Sequence, residues 1–237
     1  LLAEPDDPVT GGLMRRLGAV ETLGLLDTDT TTVPGLSRVD GQVWRDHLTS
    51  PGRLDGLAQR LRMVEESGIA TLIPGDAHWP QALDDLGDRA PFILFVRGAA
   101  SFLARPWNDL VTVTGSRAAS AYGEHVAAEL AGDLANHERV LVAGDTYEVE
   151  AAAHRAALSA GGDTIAVLAG GVDRPYPNGN RDLLDRVGDV DALVSELAER
   201  IDTAEARLAE RPAWKRFTSR LGLRRTHPRP PGGKVTP

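Results

Sequence analysis

VTVTGSRAASAY, residues 111 to 122, is the stretch whose reading decides how this chain folds. The β-branched run from Leu110 to Thr114 predicts a strand, because branched side chains suit a pleated, half-buried surface. The run breaks at Gly115-Ser116-Arg117, and a helix is expected to open in Ala118-Ala119-Ser120. A strand end that feeds a helix start gathers backbone N–H groups, a hydroxyl and a guanidinium where the helix dipole favours an anion. Arg117 adds a planar fork that matches phosphate bidentately. The stretch therefore reads as a site for phosphate or a nucleic-acid backbone. The competing reading is a plain turn, with Ser116 capping the helix and Arg117 paired to a carboxylate.

The same strand-then-helix texture repeats outward from this point. Strand Leu110–Thr114 is expected to lead into helix Ala118–Asn136, strand Val140–Ala143 into helix Val149–Ala160, and strand Thr164–Ala169 into a loop and helix Gly179–Val187. Strand Ala192–Ser195 is followed by a helical pattern over Ala198–Glu210. Upstream, Ile69–Ile73 and Phe92–Val96 read as strands flanking a short helix at Trp79–Leu86. Apolar strands alternating with amphipathic helices predict an α/β fold, a Rossmann-like, mostly parallel sheet. In such sheets ligands sit beyond the carboxyl ends of the strands. Those ends are Gly115-Ser116-Arg117, Gly144-Asp145-Thr146, Gly170-Gly171-Val172-Asp173 and Ser195-Glu196, so the four loops are expected to face one crevice.

The loop Gly170-Gly171-Val172-Asp173-Arg174-Pro175-Tyr176-Pro177 is the second candidate. Its glycines permit close backbone approach to a ligand, Tyr176 is placed to stack on a base, and Arg174 or Asn180 to reach phosphate. A tight connection with a packed tyrosine explains the same residues. Neither G-x-G-x-x-G nor G-x-x-x-x-G-K-[ST] occurs, so neither the dinucleotide fingerprint nor a P-loop is supported. His154 lies one helical turn after Glu150, a spacing that predicts a local hydrogen bond rather than an acid–base couple. No nucleophile–base–acid set and no metal-ligand spacing emerges, so binding without catalysis, metal or cofactor is expected.

Composition bounds the rest. The chain has 237 residues, 42% hydrophobic and 25% charged, with no cysteine. Disulfides, thiolate metal sites and cysteine catalysis are thereby excluded. No apolar run is long enough to span a bilayer, and the first residues carry acids where a signal peptide would carry bases, so a cytoplasmic protein without membrane contact is expected. Residues 211–237 hold eight bases and no acid, against 18 bases and 34 acids in the remaining 210. Such a tail either touches nucleic acid, through Lys215, Arg216, Arg220, Arg224 and Arg225, or is a solvated terminus. Residues 1–66 read as a small helical domain, with apolar positions at Leu13, Leu17, Val20, Leu23 and Leu26 and again at Leu54, Leu57, Leu61 and Val64. Residues 67–200 form the α/β domain and 201–237 the basic tail.

Several of these segments together resemble the DprA/Smf family of DNA-processing proteins. The resemblance is carried by ATLIPGDAHWPQALDDLGDRAPFILFVRG, TGSRAASAYGEHVAAELAGDLA, EAAAHRAALSAGGDTIAVLAGGVDRPYPNGNRDLL and ALVSE, in that order. It implies a domain that binds single-stranded DNA along its backbone, protects incoming strands and passes them to the RecA recombinase in natural transformation. It further implies a non-enzymatic, dimeric protein. By the same resemblance Gly115, Ser116 and Arg117 contact phosphate, with Gly144, Gly170, Gly171, Arg174 and Asn180 on loops lining the same groove.

Two departures stand out. Where the family carries a Ser-Gly-x-Ala-x-Gly-Ile-Asp-like loop, this chain has Ala143-Gly144-Asp145-Thr146-Tyr147-Glu148-Val149-Glu150. A carboxylate beside a phosphate is repulsive in a low-dielectric setting. After Glu196 the family's Phe-x-x-Arg-Asn-Arg segment is matched only by Phe217-Thr218-Ser219-Arg220 and its further strands have no counterpart, which predicts an exposed edge at the last strand; a basic helix over Ala213–Arg225 would either cover that edge or supply the cations the core has lost. The alternative function is a nucleotide-ligand sensor or nucleoside-phosphate-binding protein, in which the acids of the 143–150 loop would suit a ribose hydroxyl or Mg²⁺. A decayed remnant that folds poorly is the third reading.

Overall fold

The computed structural model describes residues 6–27, 32–49, 62, 64 and 66–197. It opens on three helices, α1 (Pro8–Leu17), α2 (Ala19–Gly24) and α3 (Arg38–Leu48). Asp7 caps α1, accepting from the Val9 amide at 2.9 Å, and Pro8 takes the first helical position, where no amide is needed. Leu13, Val33, Trp44 and Leu48 make a small core, and the Trp44 indole donates to Thr10 Oγ1 at 2.9 Å. The apolar stripe expected along these helices needs a correction. Gly18 ends α1 with φ +92°, so the phase restarts in α2, leaving Val20 79% and Leu23 52% exposed. Leu54, Leu57 and Leu61 lie outside the described residues.

The sheet has six strands: β1 (Ala70–Leu72), β2 (Leu94–Gly98), β3 (Leu110–Thr112), β4 (Val140–Ala143), β5 (Thr164–Val167) and β6 (Ala192–Ser195). Their order is β1-β2-β6-β5-β4-β3. The β3-β4, β4-β5 and β5-β6 pairs are parallel, whereas β2 runs antiparallel to both β6 and β1. The fold is therefore the expected α/β, Rossmann-like, mostly parallel sheet. The foreseen open edge at β6 is not there, because β2 pairs along it with Phe95 opposite Ser195. A strand made a hundred positions earlier closes the side that the sequence reading left bare.

Residue alternation sets the layers. Phe95, Leu141, Ala166 and Leu193 point to the face carrying the helices α4 (Ala121–Asn136), α5 (Val149–Ser159) and α6 (Arg181–Val190). Leu94, Val96, Val142, Ile165 and Val194 point to the other face. There the partners are two 3₁₀ segments, Gln81–Arg89 and Ala100–Ala104, which supply Leu83 and Leu103. This layer stops short of β3, leaving an apolar groove of about 340 Å³ between Leu83, Leu103, Leu110, Val142 and Ile165. Gly98 closes β2 at φ +101°, and a Cβ there would stand 2.2 Å from the Asp191 carbonyl oxygen. Only glycine lets the end of β2 dock against β6.

Candidate functional site

The loops after β3, β4 and β5 meet at the carboxyl ends of the strands, and the first of them corrects an expectation. Helix α4 opens at Ala121 rather than within Ala118-Ala119-Ser120, because the Ser120 hydroxyl caps it, accepting from the Gly123 amide at 3.3 Å. Gly115-Ser116-Arg117 thus lies ahead of the helix, outside any helix or strand, with a bend at Arg117. Ser116 Oγ accepts from the Ala118 amide at 3.1 Å, a short turn of the kind serine favours. Arg117 is exposed, and among the described residues no carboxylate lies within ion-pair distance of it. Gly115 has a steric reason to be glycine: a Cβ would sit 2.7 Å from the Val149 methyls, which support the loop from below.

The β4 loop carries three acids with different fates. Glu150 is buried and fully engaged, accepting from Thr114 Oγ1 at 3.0 Å, from the Thr146 amide at 3.1 Å and from the Thr146 hydroxyl. Asp145 is buried as well and accepts from the Ala169 amide at 3.3 Å; burial pushes its carboxyl up to about 6. The Arg117 charge works in the opposite sense on Asp145. Glu148 reaches across to the first loop and accepts the Ala119 amide. Its backbone has φ +69° and ψ −108°, a region side-chain-bearing residues seldom adopt.

The β4 and β5 loops are tied together by two further contacts. Asn180 is buried and donates to the carbonyls of Asp145 and Thr146 at 3.2 and 3.1 Å. Tyr147 Oη accepts from the Gly179 amide at 3.3 Å. The site residues named from sequence therefore divide into a rim and a floor. Ser116, Arg117, Arg174 and Tyr176 are exposed on the rim, Tyr176 by 67%. Gly144, Gly170, Gly171 and Asn180 are buried beneath it. Gly144 offers its carbonyl inward to His154 Nε2 at 3.0 Å, and Gly171 accepts from the Arg174 amide at 3.2 Å. Lys215, Arg216, Arg220, Arg224 and Arg225 lie outside the described residues, as do the helices expected over 198–210 and 213–225.

His154 is a second correction. It does not bond Glu150; its Nδ1 pairs with Thr164 Oγ1 at 2.7 Å and its Nε2 with Gly144, and burial lowers it to about 4. It is a neutral strut between α5 and the β4 loop. Sequence reading names Tyr176 for this rim but not Tyr122 or Tyr147. The chain has three tyrosines, and Tyr122, Tyr147 and Tyr176 are exposed by 76, 46 and 67%. All of them stand on these loops or on the first turn of α4. Their positions on or just after glycine-rich strand ends were the available signal.

Comparison with known proteins adds to this geometry. A family model described as DNA recombination-mediator protein A matches residues 70–214. A putative DNA processing protein DprA of Mycobacterium tuberculosis is 34% identical over 235 residues, covering 94% of this chain and 55% of that protein. The DNA processing protein DprA of Streptococcus pneumoniae is 39% identical over 121 residues, 51% of this chain and 41% of that one. The chain spans about half the length of the curated relatives it matches. Among solved structures, the Streptococcus pneumoniae DprA aligns with a TM-score of 0.66 at 26% identity, over 91% of this chain and 71% of its own. A Helicobacter pylori DNA processing protein A, described for its single-stranded DNA binding mode, aligns with a TM-score of 0.51 at 24% identity over 65% of each chain and shares the fold. Nothing in this set favours a nucleotide-ligand sensor.

Proposed function

Since the chain belongs to the DprA/Smf family of DNA recombination-mediator proteins, we propose that it is a single-stranded DNA-binding module acting in DNA processing and recombination. The observation that carries this reading is the rim: exposed Arg117 and Arg174 stand with three exposed tyrosines around the carboxyl ends of β3, β4 and β5. Cations positioned to follow phosphates, interleaved with aromatic faces, are what a strand with unpaired bases requires. A duplex offers phosphates but no open base faces. Ser116, Gly115 and the 144–148 and 170–180 loops would follow the backbone, with the bases turned toward Tyr122, Tyr147 and Tyr176.

Binding rather than turnover is also the chemistry the floor supports. Glu150 and His154 are the groups best suited to acid–base work, and both are buried and held by protein hydrogen bonds. The family resemblance extends the proposal to strand protection, transfer to RecA, a homodimer and a cytoplasmic setting. Among the described residues no helix is long and apolar enough to cross a membrane.

The test is fluorescence anisotropy of a labelled single-stranded oligonucleotide at two salt concentrations, with duplex as competitor. Binding that prefers single strands and weakens with salt, the logarithm of affinity falling by about 0.7 per tenfold rise in salt for each phosphate neutralised, is the expected result. Failure to bind at low salt overturns the reading.

A further inference from the structure

We propose that Glu148 is an intramolecular occupant of the phosphate position in the Gly115–Ser120 loop, and that it limits how tightly this chain holds a nucleic-acid backbone. The inference rests on the reading of that loop as the phosphate contact. Two observations carry it. The Glu148 carboxylate accepts the Ala119 amide, which lies two residues beyond Arg117 in the loop leading to α4. An anionic oxygen of the protein thus already occupies a donor that a phosphate oxygen would need. The second is the backbone that delivers it. Glu148 stands at φ +69° in a turn where glycine would be free of strain, and strain of this kind persists only where surrounding contacts hold it. Asp145 and Glu150 do not share the role: their carboxylates are buried and accept from Ala169, Thr114 and Thr146. Glu148 is only partly buried and directs its charge at the loop that carries Arg117. An incoming phosphate must displace it before reaching the Ala119 amide, and meets its charge while doing so. Glu148 therefore acts as a specificity-determining side chain, disfavouring phosphate contact at the very loop that recognises it.

The experiment compares the full chain with Glu148→Gln, Glu148→Gly and Glu129→Gln for binding to a labelled oligothymidylate across a salt series. Glu148→Gln removes the charge and leaves the backbone alone; Glu148→Gly also relieves the positive φ. Glu129→Gln, on the exposed flank of α4, makes the same change in net charge away from the loop. Affinity is expected to rise roughly tenfold in both Glu148 variants and less than about twofold in the control. The slope against salt should steepen by about 0.7, the signature of one more phosphate contact. A wild-type chain that binds, with Glu148 variants matching it in affinity and slope, overturns the occupant and leaves the single-strand reading standing. If wild type fails to bind and the Glu148 variants bind, the occupant and the phosphate reading of the loop stand, and the reading of the unaltered chain as a single-strand binder falls. If no folded variant binds, both the functional reading and the occupant fall.

Discussion

The side-chain amide of Asn180 donates to the Asp145 carbonyl at 3.2 Å, binding the loop after β5 to the loop after β4. The same nitrogen reaches the Thr146 carbonyl at 3.1 Å, so one buried side chain satisfies two loop carbonyls that have no strand to pair with. Asn180→Ala leaves both unsatisfied in the interior. The expected cost is about 1–3 kcal/mol, read from the denaturant midpoint, with weaker single-strand binding because Tyr147 and Tyr176 lose their fixed spacing.

Arg117 has no competing carboxylate partner among the described residues, so its loss should register on DNA rather than on folding. Arg117→Ala is expected to weaken single-strand binding by about 1–3 kcal/mol and to reduce the salt slope, while the melting temperature stays near that of wild type. Arg117→Lys should restore part of the slope and less of the affinity, since an ammonium cannot make the bidentate contact. Titrations at several salt concentrations check both.

The tyrosines should contribute independently of salt. Tyr176→Ala and Tyr147→Ala are each expected to cost about 1–3 kcal/mol of single-strand affinity if a base stacks there, with the salt slope unchanged. Tyr147→Phe should separate stacking from the Gly179 hydrogen bond, since it keeps the ring and loses the hydroxyl.

Gly98→Ala addresses the architecture instead of the site. The new methyl would stand 2.2 Å from the Asp191 carbonyl oxygen on a backbone at φ +101°. A loss of about 3 kcal/mol or more is expected in chemical unfolding, with β2 detached from β6.

Two buried groups should leave opposite marks on stability against pH. Asp145 is raised to about 6 in the folded chain, so it binds its proton more tightly there than when unfolded. The stability it confers is present below about pH 4 and is lost as pH rises through 6. His154 is lowered to about 4, so its contribution is present above about pH 6.5 and is lost as pH falls toward 4. Asp145→Asn is therefore expected to be more stable than wild type at pH 7, by on the order of 2–3 kcal/mol, with the difference vanishing near pH 4. Thermal unfolding across pH 4–8 is the measurement.

The parts of this fold legible from sequence are those with local causes. β4 and β6 fall on their expected residues and α5 within one residue of its expected end, because continuous apolar runs bounded by glycine or acidic turns leave little latitude. The start of α4 differs from expectation because alanine propensity at 118–119 points one way and the Ser120 cap another, and the cap prevails. The pairing of β2 with β6 has no local signature, being a match between strands far apart in the chain. At the site, Arg117 and Tyr176 were legible as exposed polar and aromatic positions after strand ends. Asn180 was not, since only the folded loops show that its donors turn inward. The acids of the 143–150 loop were legible as charges, but their division into buried, satisfied and outward-acting groups depends on backbone angles such as that of Glu148.

The strand order has a consequence for how the protein is made. β6 is the last described strand to leave the ribosome, yet it lies inside the sheet, between β5 and β2. Until residue 195 is available, the β1-β2 hairpin and the β3-β4-β5 unit are two separate fragments, each with an unpaired side. Chain synthesis therefore passes through an interval in which two sticky edges await the same partner, and joining them is a late, long-range event of the sort that slows folding.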